Sequence, residues 1–145
     1  MTDVVIAGIG QTPVGEHWDL SIRELALQAI EAAISDAGGI QPQALFVSNM
    51  LAPAISGQAH LGTLVADFAG LTGIEAVTVE GAGASGGLAL RQAYMMVSAG
   101  AADAVLVCGI EKLTDKTGSG VEAAIASAVD SDYEAVQGLT PTAQA

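Results

Sequence analysis

Basic residues are scarce in this chain. Lys and Arg together number 4 against 16 Asp and Glu, a net charge of -12, so polyanions meet repulsion and neither nucleic acid nor an anionic membrane surface is an expected partner. Cysteine is nearly absent. Cys108 stands alone, which excludes an internal disulfide and a multi-cysteine metal site. The two histidines, His17 and His60, are too far apart and too isolated to read as metal ligands. Long apolar runs are missing as well: Gly, Pro, Gln or Asp103 interrupts each one, and residues 1–3 carry no basic stretch. No membrane span and no signal peptide are therefore expected, and the cytoplasm is the default compartment. What the chain has in quantity is apolar residues, 51% against 14% charged, and its 145 residues suffice for one globular domain with a real core.

Punctuation falls at regular intervals along that apolar background. Val4 to Ile9 is a β-branched run ended by Gly10 and Pro13, which predicts a first strand. Ser21 and Glu24 have the spacing of a capping box, and Ile22, Leu25, Ala26, Ala29, Ile30, Ala33 and Ile34 follow on one helical face until Gly38 and Gly39. Ala44 to Val47 predicts a strand, Leu61 to Ala69 a helix closed by Gly70, Ala76 to Val79 a strand, Ser85 to Ala99 a helix and Ala104 to Ile110 a strand. This alternation implies an α/β fold with a mostly parallel sheet and helices on both faces. After Lys112 the pattern weakens, leaving one short helix expected at Val121 to Val129.

The helix at Ser85 to Ala99 makes a demand on its surroundings. Arg91 is its only charge, while Leu88, Leu90, Ala93, Tyr94, Met95, Met96 and Val97 spread around most of its circumference. A helix apolar all round is buried all round, and one sheet covers only one side of it. The sequence therefore calls for a second covering layer.

In front of that helix stands VEGAGASGGLAL, in which Gly81, Gly83 and Gly86 spell G-x-G-x-x-G between a strand and a helix. A dinucleotide-binding turn has this order, with an acidic residue about 20 positions on, at the end of the next strand. Asp103 begins that strand instead of ending it, and Glu111, at the strand's end, lies beyond the spacing. A nucleotide-binding α/β domain stays one reading, and glycines that serve only packing are another.

The segments GIGQTPVGEHWDLSIRELALQAI, NMLAPAISGQAHLGTLVADFAGL, VEGAGASGGLALRQAY and ADAVLVCGIEKLTD resemble the thiolases, in particular the archaeal and bacterial type similar to sterol-carrier-protein thiolase. The resemblance runs through most of the chain and corresponds to the N-terminal half of the family's fold. It implies two β-α-β halves stacked in a five-layer αβαβα arrangement, with a helix like Ser85 to Ala99 between two sheets. Residues 1–111 then form the N-terminal core, and residues 112–145 begin the loop region that in the family helps bind coenzyme A, with the rest of the fold still to follow. The implied activity is acyl transfer in lipid metabolism, with acetyl-CoA or another acyl-CoA as substrate, coenzyme A as product and no covalently bound cofactor. The implied assembly is a homodimer through the edge strand at 76–79, or a complex with a thiolase-like partner subunit.

In the family the glycine-rich segment reads much like E-A-A-C-A-S-G-G, and its cysteine is the nucleophile. Aligned on Glu80 and Ser85-Gly86-Gly87, that cysteine falls on Gly83, within an active-site loop of Ala82, Ala84, Ser85, Gly86 and Gly87. A thiolate is the competent nucleophile, and the field at a helix N-terminus stabilises it. Gly83 has no side chain to acylate. Cys108, in an apolar strand, has the setting of an inert core residue, and the family's catalytic histidine and second cysteine belong to the half that this sequence does not resemble. Two expectations stay open: an acyltransferase portion without catalytic competence of its own, or a non-catalytic subunit or paralogue kept for assembly.

Overall fold

All five residues of the strand Ala44–Ser48, β1, are buried, as a parallel strand with neighbours on both sides and helices on both faces must be. In a computed structural model that describes residues 3–138, β1 pairs in parallel with Glu75–Val79 (β2) and with Val105–Gly109 (β3), giving the order β2-β1-β3. Side chains alternate between the two faces of a strand, and they divide the core in two. Leu45, Val47 and Cys108 pack with Ile22, Ile30 and Val65, which belong to the helices Ile22–Asp36 (α1) and Leu61–Phe68 (α3). On the other face, Phe46 and Val79 pack with Ala89 and Ala93 of the helix Ser85–Ser98 (α4). The expected parallel α/β sheet with helices on both faces is thus present.

The start of α1 follows from local chemistry. Ser21 Oγ accepts the Glu24 backbone N–H at 3.3 Å, and Glu24 Oε2 accepts the Ser21 N–H at 2.7 Å. These bonds satisfy donors that the first helical turn leaves without partners. The hydrogen bond from Ser21 is also the main reason that the Glu24 carboxyl is held below its usual range. A one-turn helix at Ala52–Ile55 (α2), not foreseen from the sequence, is capped through the Ala52 N–H, which donates to Asn49 Oδ1 at 2.9 Å.

The first expected strand is corrected. Val4 to Ile9 forms no strand, and Val5, Ile6 and Ile9 are all more than 70% exposed. Strand propensity measures fit to a pleated, half-buried surface, and no sheet edge receives this segment. Its glycine end is drawn onto α1 instead. The Ile9 N–H donates to Asp36 Oδ2 at 2.9 Å, and a Cβ on Gly10 would stand 2.1 Å from the Ala29 carbonyl oxygen. The C-terminal helix also differs from expectation. It spans Ser119–Ile125 (α5), then tightens into a single turn at Ala126–Ala128 in place of an α-helix reaching Val129.

α4 contacts the sheet through a narrow row. Only Ser85, Ala89 and Ala93 are buried, and these small residues bring the helix close to β1 and β3. Met96 and Val97 are half-buried, Met96 against the same core, while Leu88, Leu90, Tyr94 and Met95 are all exposed. The described residues supply one covering layer for this helix, as its composition requires of a single sheet.

Candidate functional site

In a parallel sheet the strands end on one side, and clefts open beyond their carboxyl ends. Ser48 ends β1 and Gly109 ends β3 beside it, in register, while α4 begins over the same edge. The cavity there measures about 390 Å³, and its walls include Ser48, Leu51, Gly83, Gly86, Ile110 and Glu111.

Gly83 occupies a tight turn, Ala82–Ala84, that runs directly into α4. It is exposed, its φ lies outside the left-handed region, and a Cβ built on it would meet nothing within 4 Å. The strained residue is its neighbour Ala82, at φ 49°, a conformation that alanine adopts rarely. Two side chains hold this turn. Glu80 Oε1 accepts the Ala82 N–H at 2.6 Å, and Ser85 Oγ accepts the Gly81 N–H at 3.0 Å while donating to the Ala82 carbonyl at 2.7 Å. Residue 83 takes no part in these bonds. Of the loop residues expected from the sequence, Ala82, Gly83, Ser85 and Gly86 line the cavity, whereas Ala84 and Gly87 do not.

On the opposite wall the sequence singled out only Glu111, and Asn49, Met50 and Leu51 were not foreseen. Asn49 donates through Nδ2 to the Ile110 carbonyl at 2.7 Å, and Glu111 Oε1 accepts the N–H groups of Met50 at 2.5 Å and Leu51 at 3.0 Å. These bonds tie the end of β3 to the turn after β1. Glu111, weighed above against the spacing of a dinucleotide-binding turn, is therefore engaged by backbone at the cavity's rim. Lys112 is buried and pairs with Asp115, and Lys116 donates to the Ala54 carbonyl at 2.6 Å. The signal that could have pointed to Ser48 and Asn49 is their position at the carboxyl end of a central strand.

Cys108 belongs elsewhere. It is 5% exposed and packs in the core shared with α1 and α3, on the face of the sheet away from α4. Burial pushes its thiol up to about 11. His17 lies in an exposed loop, where its Nε2 meets the Pro13 carbonyl at 2.7 Å. His60 precedes α3 at φ 54° and borders a separate cavity of about 290 Å³ beside β2, with Thr63 and Thr78. The structure brings neither histidine to Gly83. Among the described residues no three or more His, Cys, Asp or Glu side chains are grouped to hold a metal ion, and no helix is long and apolar enough to cross a membrane.

Comparison with known proteins gives this geometry its context. The family model of the thiolase N-terminal domain matches residues 4–144. The chain is 46% identical over 142 residues to an acetyl-CoA acetyltransferase of Methanothermobacter thermautotrophicus and, over the same length, 46% identical to one of Methanocaldococcus jannaschii. Both alignments cover 97% of this chain, but 37% and 36% of the relatives, so the chain spans a little over a third of their length. Among solved structures, the 3-oxoacyl-[acyl-carrier-protein] synthase III of Aquifex aeolicus VF5 shares the fold with a TM-score of 0.61 at 23% identity, covering 69% of this chain and 32% of that one.

Proposed function

The chain belongs to the thiolase family through that family's N-terminal domain, and from this premise we propose that it forms one wall of an acyl-CoA site in which the covalent step is not carried by residue 83. The observation that supports this reading is the placement of Gly83. It stands at the mouth of the cavity and at the head of α4, with open space where a side chain would project. In the family's reaction a thiolate attacks the thioester carbonyl carbon, an acyl–sulfur bond forms, and the coenzyme A thiolate leaves. Glycine offers no atom for that attack. Cys108 offers no replacement, since its thiol is buried, stays protonated at neutral pH and packs on the other face of the sheet.

Within this reading, residues 3–111 form the core of the first half and the segment after Lys112 begins the region that contacts coenzyme A. The open apolar surface of α4 is where a second β-α-β half packs, completing the five layers. The exposed edge of β2 is where a second copy or a thiolase-like partner subunit adds its own strand.

Gly83 also favours a second reading, in which the protein serves assembly and a partner subunit supplies the chemistry. One experiment separates the two. The intact protein is titrated with acetyl-CoA, and its mass is then measured. Binding without a covalent adduct is the expected result. No binding, with acyl transfer found only in complex with a partner, supports the assembly role, and an adduct on Cys108 would overturn both.

A further inference from the structure

We infer that Ser48 is a ligand-binding residue that reads an oxygen carried on the acyl chain, an assignment that rests on the acyl-CoA reading above and narrows it. Ser48 is 6% exposed, yet no group among the described residues lies within hydrogen-bonding reach of its hydroxyl. No sealed side-chain polar atom among these residues lacks a partner, so the Ser48 Oγ is solvated through the cavity that it lines. The other polar side chains of this wall are occupied: Ser85 by the Gly81 and Ala82 backbone, Asn49 by Ile110 and Ala52, and Glu111 by Met50 and Leu51. Ser48 alone has a hydroxyl to offer.

The space around that hydroxyl is kept clear by two missing side chains. A Cβ on Gly109 would stand 3.2 Å from Ser48 Oγ, and one on Gly86 would stand 3.9 Å from it. Met50, Leu51, Ile110 and Leu113 make much of the remaining lining apolar. The cavity thus suits a small apolar group with one oxygen at the buried end. Gly83 is exposed, Ser48 is buried, and a Cβ on Gly83 would have no atom within 4 Å, Ser48 Oγ included, so within this reading a thioester carbonyl held against residue 83 leaves Ser48 to an atom further along the chain. The oxygen that meets Ser48 sits further along the chain. A hydroxyl there can donate to or accept from the serine, whereas an unsubstituted alkyl chain would strip the serine of its solvation and return nothing. Sites built around such a hydrogen bond discriminate against analogues that lack the partner.

Calorimetric titration of the intact protein with 3-hydroxybutyryl-CoA and with butyryl-CoA, equal in chain length, tests the assignment. The expected result is tighter binding of the hydroxylated ligand by roughly three- to tenfold, the worth of one hydrogen bond. In Ser48→Ala that preference disappears while the melting temperature holds, because the hydroxyl bonds to no protein group. Gly109→Ala provides a second variant, whose added methyl crowds the hydroxyl and weakens the preference without removing it chemically. Equal affinities in the unmodified protein, or a preference that survives in both variants, overturns the role of Ser48 and leaves the acyl-CoA reading standing. Absence of binding for both ligands overturns the two together.

Discussion

Cys108 and Gly83 belong to opposite faces of the sheet: the thiol is sealed in the core under α1 and α3, while the glycine heads the helix that packs on the other side. The only thiol in the chain is therefore remote from the cavity beside α4, which residue 83 lines.

Gly83→Cys is expected to fold as well as the unmodified protein, because the added side chain enters open space and the backbone there is not left-handed. Its new thiol should react quickly, with a pKa below the ~8.5 of a free cysteine, owing to the adjacent helix terminus. Rates of thiol modification against pH check this. A new thiol titrating above 9 would remove the argument for a nucleophile position.

Cys108 should impose a pH dependence on stability. Its thiol is raised from 9.0 to about 11 in the fold, so the unfolded chain loses this proton first and stability falls as pH rises between these values, with no effect below them. The upper bound is on the order of 2 kcal/mol by pH 11. Denaturant midpoints for the protein and for Cys108→Ala should converge across that window.

Ser21→Ala removes the N-cap of α1 and should lower stability by about 1 kcal/mol. Glu24 adds an acid-side signature. Its carboxyl is lowered mainly by the hydrogen bond from Ser21, so its contribution is complete above the ordinary carboxylate range and is lost as pH falls through the depressed value. Urea unfolding of Glu24→Gln below neutral pH should show a flatter acid limb than the unmodified protein.

Gly10→Ala tests how the N-terminal segment is held. The methyl would collide with the Ala29 carbonyl, so the segment must lift from α1, at a cost of roughly 1–3 kcal/mol. Hydrogen exchange at the Ile9 amide, now bonded to Asp36, should accelerate, while exchange within β1 changes little.

The open side of α4 gives a prediction for residues 1–145 expressed by themselves. Leu90 and Met95 are 55% and 50% exposed, and exposed apolar patches of this kind bind hydrophobic dyes. Leu90→Lys together with Met95→Lys should reduce dye fluorescence with little change in melting temperature. Undiminished fluorescence would place the apolar surface elsewhere.

Local rules made α1 legible: a serine and a glutamate three residues apart, an apolar stripe and two glycines are sufficient to bound it. Strand identity was less secure, because Val4 to Ile9 has the composition of a strand and yet pairs with neither outer edge of the sheet. The site was legible only on its α4 side, where one contiguous motif carries it. Its other wall joins Asn49 and Met50 to Ile110 and Glu111, residues 61 positions apart, and only the parallel pairing of β1 with β3 brings them together. The backbone of residue 83 could not be read at all, since glycine accepts either sign of φ. The left-handed conformation fell on Ala82 instead.

The turn before α4 is held by the Glu80 and Ser85 side chains on the Gly81 and Ala82 backbone, with no bond from residue 83. Its shape is thus indifferent to what stands at position 83. In genetic terms glycine and cysteine codons can differ by one base, so a lineage with this turn can lose the thiol or regain it in one step without rebuilding the loop. Under the proposed reading, gain and loss of covalent chemistry would then fall to selection on the reaction, because no hydrogen bond of the turn depends on residue 83.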